Sequence, residues 1–99
     1  MANLSKNFNV KLSESLRADL GLFDASKKTD PNSISSLKSY LNFYGLPSKS
    51  DYLALHVGTT DDQDIVAMAW APTESEGVAI IVHGYMDHIG LYGHLIQEL

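Results

Sequence analysis

The chain has no cysteine among its 99 residues, which excludes a disulfide scaffold, a thiol nucleophile and every cysteine-ligated zinc or iron–sulfur centre. Basic residues are few: seven Lys and Arg stand against twelve Asp and Glu, for a formal net charge of −5. Without a basic cluster the chain is a poor counterion for a phosphate backbone, so no nucleic acid is expected as a partner. Long apolar runs are missing too. The longest, Ile65 to Ala71, falls far short of the roughly 20 residues a membrane-spanning helix needs, so no transmembrane segment is expected. The opening stretch MANLSKNFNV lacks the apolar region of a secretory signal, and a soluble, cytoplasmic protein is the expectation. What is present is 44% hydrophobic and 19% charged residues, a balance that favours a buried core over disorder. The length suffices for one small domain.

Residues 1–45 read as a polar, helical extension. Leu12, Leu16 and Leu20 recur four apart, with Ser13 placed to cap and Gly21 placed to terminate, and this predicts a short helix over 13–20. Lys27 to Asn32 reads as a linker. Next, Asp30 is placed to cap and Pro31 suits a first helical position. Ile34, Leu37, Leu41 and Tyr44 line one face with Tyr40 beside them, and Gly45 and Pro47 end the helix.

Residues 46–99 switch character. Over 51–57, Leu53, Leu55 and Val57 alternate with Tyr52, Ala54 and His56, the pattern of a half-buried strand. Residues 58–64 read as a turn, and 65–71 as a second strand closed by Pro72, together an antiparallel hairpin. Trp70 is expected in the core with a partner for its N–H, and His56 as a packed or solvent-facing residue, not a ligand. Asp61, Asp62 and Asp64 lack the spacing of a calcium loop and read as a solvated turn. Val78 to Val82 is apolar at every position, as expected of a strand covered on both faces in a parallel sheet. From about Ile89 an amphipathic helix is predicted, with Leu91, Leu95 and Leu99 as its stripe, Tyr92 and Ile96 beside them and His94 at the polar edge. No stop signal comes after it, so the chain is expected to be a truncated piece.

The apolar strand leads directly into His83-Gly84-Tyr85-Met86-Asp87-His88, and a loop at the carboxyl end of an interior strand is where open α/β sheets place their sites. The stretch GVAIIVHGYMDHIGLYGHLIQEL resembles the strand, oxyanion loop and first helix of the α/β-hydrolases. Its spacing is similar to the HGxxxHxxxYxxL pattern of the monoacylglycerol-lipase and lysophospholipase-like branch, matched at His83, Gly84, His88, Tyr92 and Leu95. The resemblance covers residues 50–99 and hardly touches 1–45. It implies an α/β fold, specifically the N-terminal portion of an α/β-hydrolase: antiparallel hairpin, first buried strand, oxyanion loop and first helix. It implies a serine-dependent ester hydrolase acting on a small-molecule or lipid-like ester, with no cofactor and no metal.

The resemblance also implies roles. A tetrahedral acyl-transfer intermediate carries a negative oxygen that fixed backbone N–H groups must stabilise. The loop donor would be the Tyr85 N–H, with Gly84 allowing close approach and His83 holding the loop's shape. Asp87 and His88 would support that loop, and Tyr85 and Met86 would line the substrate mouth. The nucleophile elbow G-x-S-x-G does not occur, so nucleophile, acid and base are absent and this chain alone is expected to be inactive. Two other readings stand beside this one. The chain is a non-catalytic remnant or interaction fragment, or the HGYMDH run is similar to the H-x-H-x-D-H metal loop of metallo-β-lactamase-fold hydrolases. In the latter case Tyr85 stands where a histidine ligand belongs.

Overall fold

Helix α1 (Val10–Asp19) begins at Asn9, which is extended and whose side-chain Oδ1 accepts the Leu12 N–H at 2.9 Å. That asparagine takes the capping role expected of Ser13, so the helix starts earlier than 13. This computed structural model describes residues 9–48, 53–60, 65–72, 74–84 and 87–99. Leu16 is buried, with Leu12 and Leu20 partly so, as the four-residue spacing predicts. Asp30 caps a 3-10 turn over Pro31–Ser33 by accepting the Asn32 N–H at 2.9 Å. Ile34 is extended and separates this turn from helix α2 (Ser35–Tyr44). Leu37, Tyr40 and Leu41 of α2 are buried. Gly45, at φ 69°, ends the helix in the left-handed region, which lets the Leu46 N–H reach back to the Leu41 carbonyl at 2.9 Å.

Strand β1 (Leu53–Thr59) pairs antiparallel with β2 (Val66–Pro72), setting Leu55 opposite Trp70 and Val57 opposite Met68. The expected hairpin is there. β1 nevertheless runs through Gly58 and Thr59, which the sequence assigns to the turn, because residues 21–29 bond its other edge. Phe23 N–H donates to the Thr59 carbonyl at 2.9 Å, Thr59 N–H to Gly21 at 2.8 Å, and Thr29 N–H to Leu55 at 2.7 Å. Gly58 is needed for that approach, since a Cβ there would fall on the Phe23 backbone. His56 is buried, its Nδ1 2.6 Å from the Lys27 carbonyl. Part of the expected 27–32 linker is thus an edge partner of β1.

One core joins these parts: Leu16, Leu37, Tyr40, Leu41, Leu46, Leu55 and Val57, with Trp70 packed against it. Each leucine buried here contributes about 1.5–3 kcal/mol. The Trp70 indole N–H donates to the Pro47 carbonyl at 2.9 Å, the partner its burial demands. The core draws on both sides of residue 45, so helices and hairpin form a small mixed α and β unit.

The segment 78–82 departs from the buried parallel strand expected of it. It belongs to no ladder among the described residues, and Val78, Ile80 and Val82 are 90%, 84% and 85% exposed. Such a strand needs partners on its edges and cover on its faces. β1 has both edges occupied, and no described element lies over the run.

Beyond it, a 3-10 turn (Ile89–Tyr92) and helix α3 (Gly93–Glu98) dock on the end of α2. Gly90 lies against the Tyr44 ring and Gly93 against the Gly45 carbonyl, which also accepts a bond from the Gln97 side chain at 3.1 Å. This reverses the expected stripe. Ile89 and Ile96 pack on the core, whereas Leu91, Leu95 and Leu99 are exposed. The cause is the two glycines: a face without side chains brings the backbone close to α2, and the 3-10 turn shifts the phase of the helix after it. Gly90→Ala would drive a methyl group into the Tyr44 ring. It is expected to cost about 1–3 kcal/mol and to undock the segment, seen as faster amide exchange in 90–98 with α1, α2 and the hairpin unchanged.

Candidate functional site

The loop between the apolar run and α3 is closed at its base by backbone: Asp87 N–H donates to the Gly84 carbonyl at 3.1 Å. The Asp87 carboxylate then ties loop to helix. Its Oδ2 accepts the Tyr92 hydroxyl at 2.6 Å, and the backbone N–H groups of His88 and Gly84 also point to it. The Tyr92 bond holds the Asp87 carboxyl below its ordinary range, and the same bond raises the Tyr92 hydroxyl. His83 is exposed, its Nδ1 3.0 Å from the Gly84 carbonyl. A Cβ at Gly84 would meet open space, and Gly84 has no positive φ, so only open access favours a glycine there.

His88 lies edge-on to Tyr44, ring centroids 4.9 Å apart, and the rings of Tyr40 and Phe43 pack on that same tyrosine. The Tyr44 hydroxyl accepts the Asn9 N–H at 2.7 Å. Burial pushes the Tyr40 hydroxyl up to about 12.

Of the residues singled out from sequence, Gly84, Asp87 and His88 come together around the loop base, with His83 at its outer side. Tyr85 and Met86 lie outside the described residues, as do Asp61, Asp62 and Asp64. Among the described residues no three His, Asp or Glu side chains are grouped to hold a metal ion. Sequence reading missed the Asp87–Tyr92 bond and the seating of His88 on Tyr44. A tyrosine five residues after an aspartate is no regular helix pair, and the contact to α2 spans a long stretch of chain. Compared with protein-family models, curated proteins and solved structures, the chain finds no match.

The docking of 87–99 is expected to weaken in acid. Burial of His88 disfavours its charged form and lowers its pKa, with His83 acting in the same direction and Asp87 opposing. A lowered histidine pKa favours the folded state most above the ordinary value of 6.5, and that advantage is lost as pH falls through the lowered value. Tyr44 and Gly90 resonances followed by NMR from about pH 8 to 5 should shift toward undocked positions, and His88→Gln should flatten the change.

Proposed function

We propose that the chain is the opening segment of an α/β-hydrolase, a serine-dependent carboxylic-ester hydrolase with lysophospholipid- or monoacylglycerol-like substrates. One observation carries the reading. The apolar run 78–82 and the leucine face of Leu91, Leu95 and Leu99 are both uncovered, on either side of a loop tied by Asp87 and Tyr92. An apolar run and a helix that expose apolar side chains on either side of a short polar loop are suited to a larger sheet that covers both.

In this reading the loop supplies one oxyanion donor, the Tyr85 N–H, while Asp87 and Tyr92 hold the turn that presents it and His83 and His88 flank it. The nucleophile, its base and the second donor belong to sequence beyond Leu99. The chemistry uses side chains and amides, with no cofactor. A second reading, a non-catalytic interaction fragment, is favoured by the core that α1, α2 and the hairpin complete without the 78–82 run.

The coding sequence separates the two: an open frame past Leu99 carrying G-x-S-x-G supports the hydrolase, and a genuine stop supports the fragment. The longer protein, once made, should hydrolyse esters in EDTA and be inactivated by an organophosphonate. Activity lost to EDTA and restored by zinc would instead favour the metal-loop reading.

A further inference from the structure

Strand β2 has one edge paired with β1 and one edge open. The Thr60 N–H donates to the Ile65 carbonyl at 3.2 Å, which fixes the phase of the ladder. Ala67, Ala69 and Ala71 therefore turn their backbone groups toward β1, and Val66, Met68 and Trp70 turn theirs away from it. β1 keeps the same phase, since Thr59 and Leu55 bond residues 21–29 on its far edge. Among the described residues no backbone hydrogen bond takes up the outward N–H and C=O groups of Val66, Met68 and Trp70.

Such an edge invites strand addition unless charge, proline or a bulge blunts it. The register of β2 is unbroken, its proline stands only at the last position, and residues 65–72 carry no charge. These features choose the occupant. Each copy of the chain carries a formal charge of −5, so two copies meet with least repulsion along an uncharged strip. The strip is also self-complementary about a two-fold axis, which requires a residue opposite itself. With Met68 opposite Met68, Val66 faces Trp70 and Ala67 faces Ala69, and every outward N–H of these residues meets a carbonyl. With Ala69 opposite itself, Val66 faces Pro72, which has no N–H to give. Val66, Met68 and Trp70 pack on the core but are only partly buried, and the first register sets them beside the same three residues of the second copy.

We propose that β2 of two chains pairs antiparallel about a two-fold axis at Met68, joining the two sheets edge to edge in a symmetric dimer. The proposal stands on the open edge of β2, not on the hydrolase reading. Further strands in a longer protein would compete for the same edge, so the test uses the 99-residue chain.

Sedimentation velocity from about 5 to 200 µM should show concentration-dependent dimerisation, weak because a single strand pair is a small interface. Over the same range amide exchange should slow at Val66, Met68 and Trp70 and stay fast at residues 78–82. The chain is free of cysteine, so single introduced thiols report register directly. Mixing Ala67→Cys with Ala69→Cys under mild oxidation should give the mixed disulfide. Neither variant should cross-link to itself, because like positions then lie diagonally, about 7–8 Å apart. Met68→Lys and Met68→Glu each set like charges face to face and should each weaken the dimer about two- to fivefold. Mixing the two folded variants should restore it, since lysine then faces glutamate. A chain that stays monomeric throughout, protection that rises at 78–82 in place of β2, self-cross-linking by either cysteine variant, or no recovery on mixing the charge variants would overturn the proposal.

Discussion

Leu41→Ala is expected to bring the folded state of the chain close to balance with its unfolded state at room temperature. Leu41 is fully buried at the centre of the cluster that joins Leu16 and Leu37 to Leu55 and Val57. Truncating a leucine in such a place removes its transfer free energy and leaves a cavity, together costing about 2–5 kcal/mol. A single core of this size rarely supplies more than about 3–5 kcal/mol in total. Ile80→Ala removes a similar apolar mass from a side chain that is almost wholly solvated. In dilute, monomeric protein it should change stability by less than about 0.5 kcal/mol. Urea unfolding followed by circular dichroism measures both. Equal losses from the two variants would mean that Ile80 is packed as tightly as Leu41, contrary to its exposure in the structure.

The contrast between those two residues shows what a sequence pattern carries. The stripe of α2 and the core face of β1, Leu55 and Val57, were legible, because each segment's own periodicity names that face and Gly45 and Pro72 mark the ends. The other face of β1, where His56 lies, is buried as well, so the strand is not the half-buried one its alternation predicts. The pairing of residues 21–29 with β1 was not. Those bonds run between backbone groups that every residue carries, so they leave no mark in side-chain chemistry. The face of 89–99 was misjudged for a related reason: Gly90 and Gly93 bury a surface by having no side chain, which a hydrophobic count scores as nothing. For 78–82 the composition states what the segment needs, cover on both faces, and no other described residue supplies it. In the loop, the pattern singled out Asp87 and His88 but not their partners. Tyr92 and Tyr44 meet them only because the segment docks on α2.

In an intact hydrolase built on this segment, Tyr85→Pro is expected to lower kcat by about 10²–10³, the usual loss when one oxyanion donor is removed. The residues on either side of position 85 give the reason. Gly84 accepts the Asp87 N–H, and the Asp87 carboxylate is held by the Tyr92 hydroxyl and by backbone N–H groups. With those groups already engaged, the proposed donor is the N–H of the residue next after the glycine. Proline at 85 deletes that N–H, whereas phenylalanine keeps it and removes only the ring hydroxyl. Tyr85→Phe should therefore turn over near the wild-type rate, with any change confined to KM. Tyr92→Phe should fall between the two, because it loosens the carboxylate that shapes the turn without deleting a donor. Steady-state kinetics on a short-chain ester, with circular dichroism to confirm folding, distinguish the three. Comparable kcat losses for Tyr85→Pro and Tyr85→Phe in folded protein would assign the effect to the tyrosine ring and remove the backbone N–H from the mechanism.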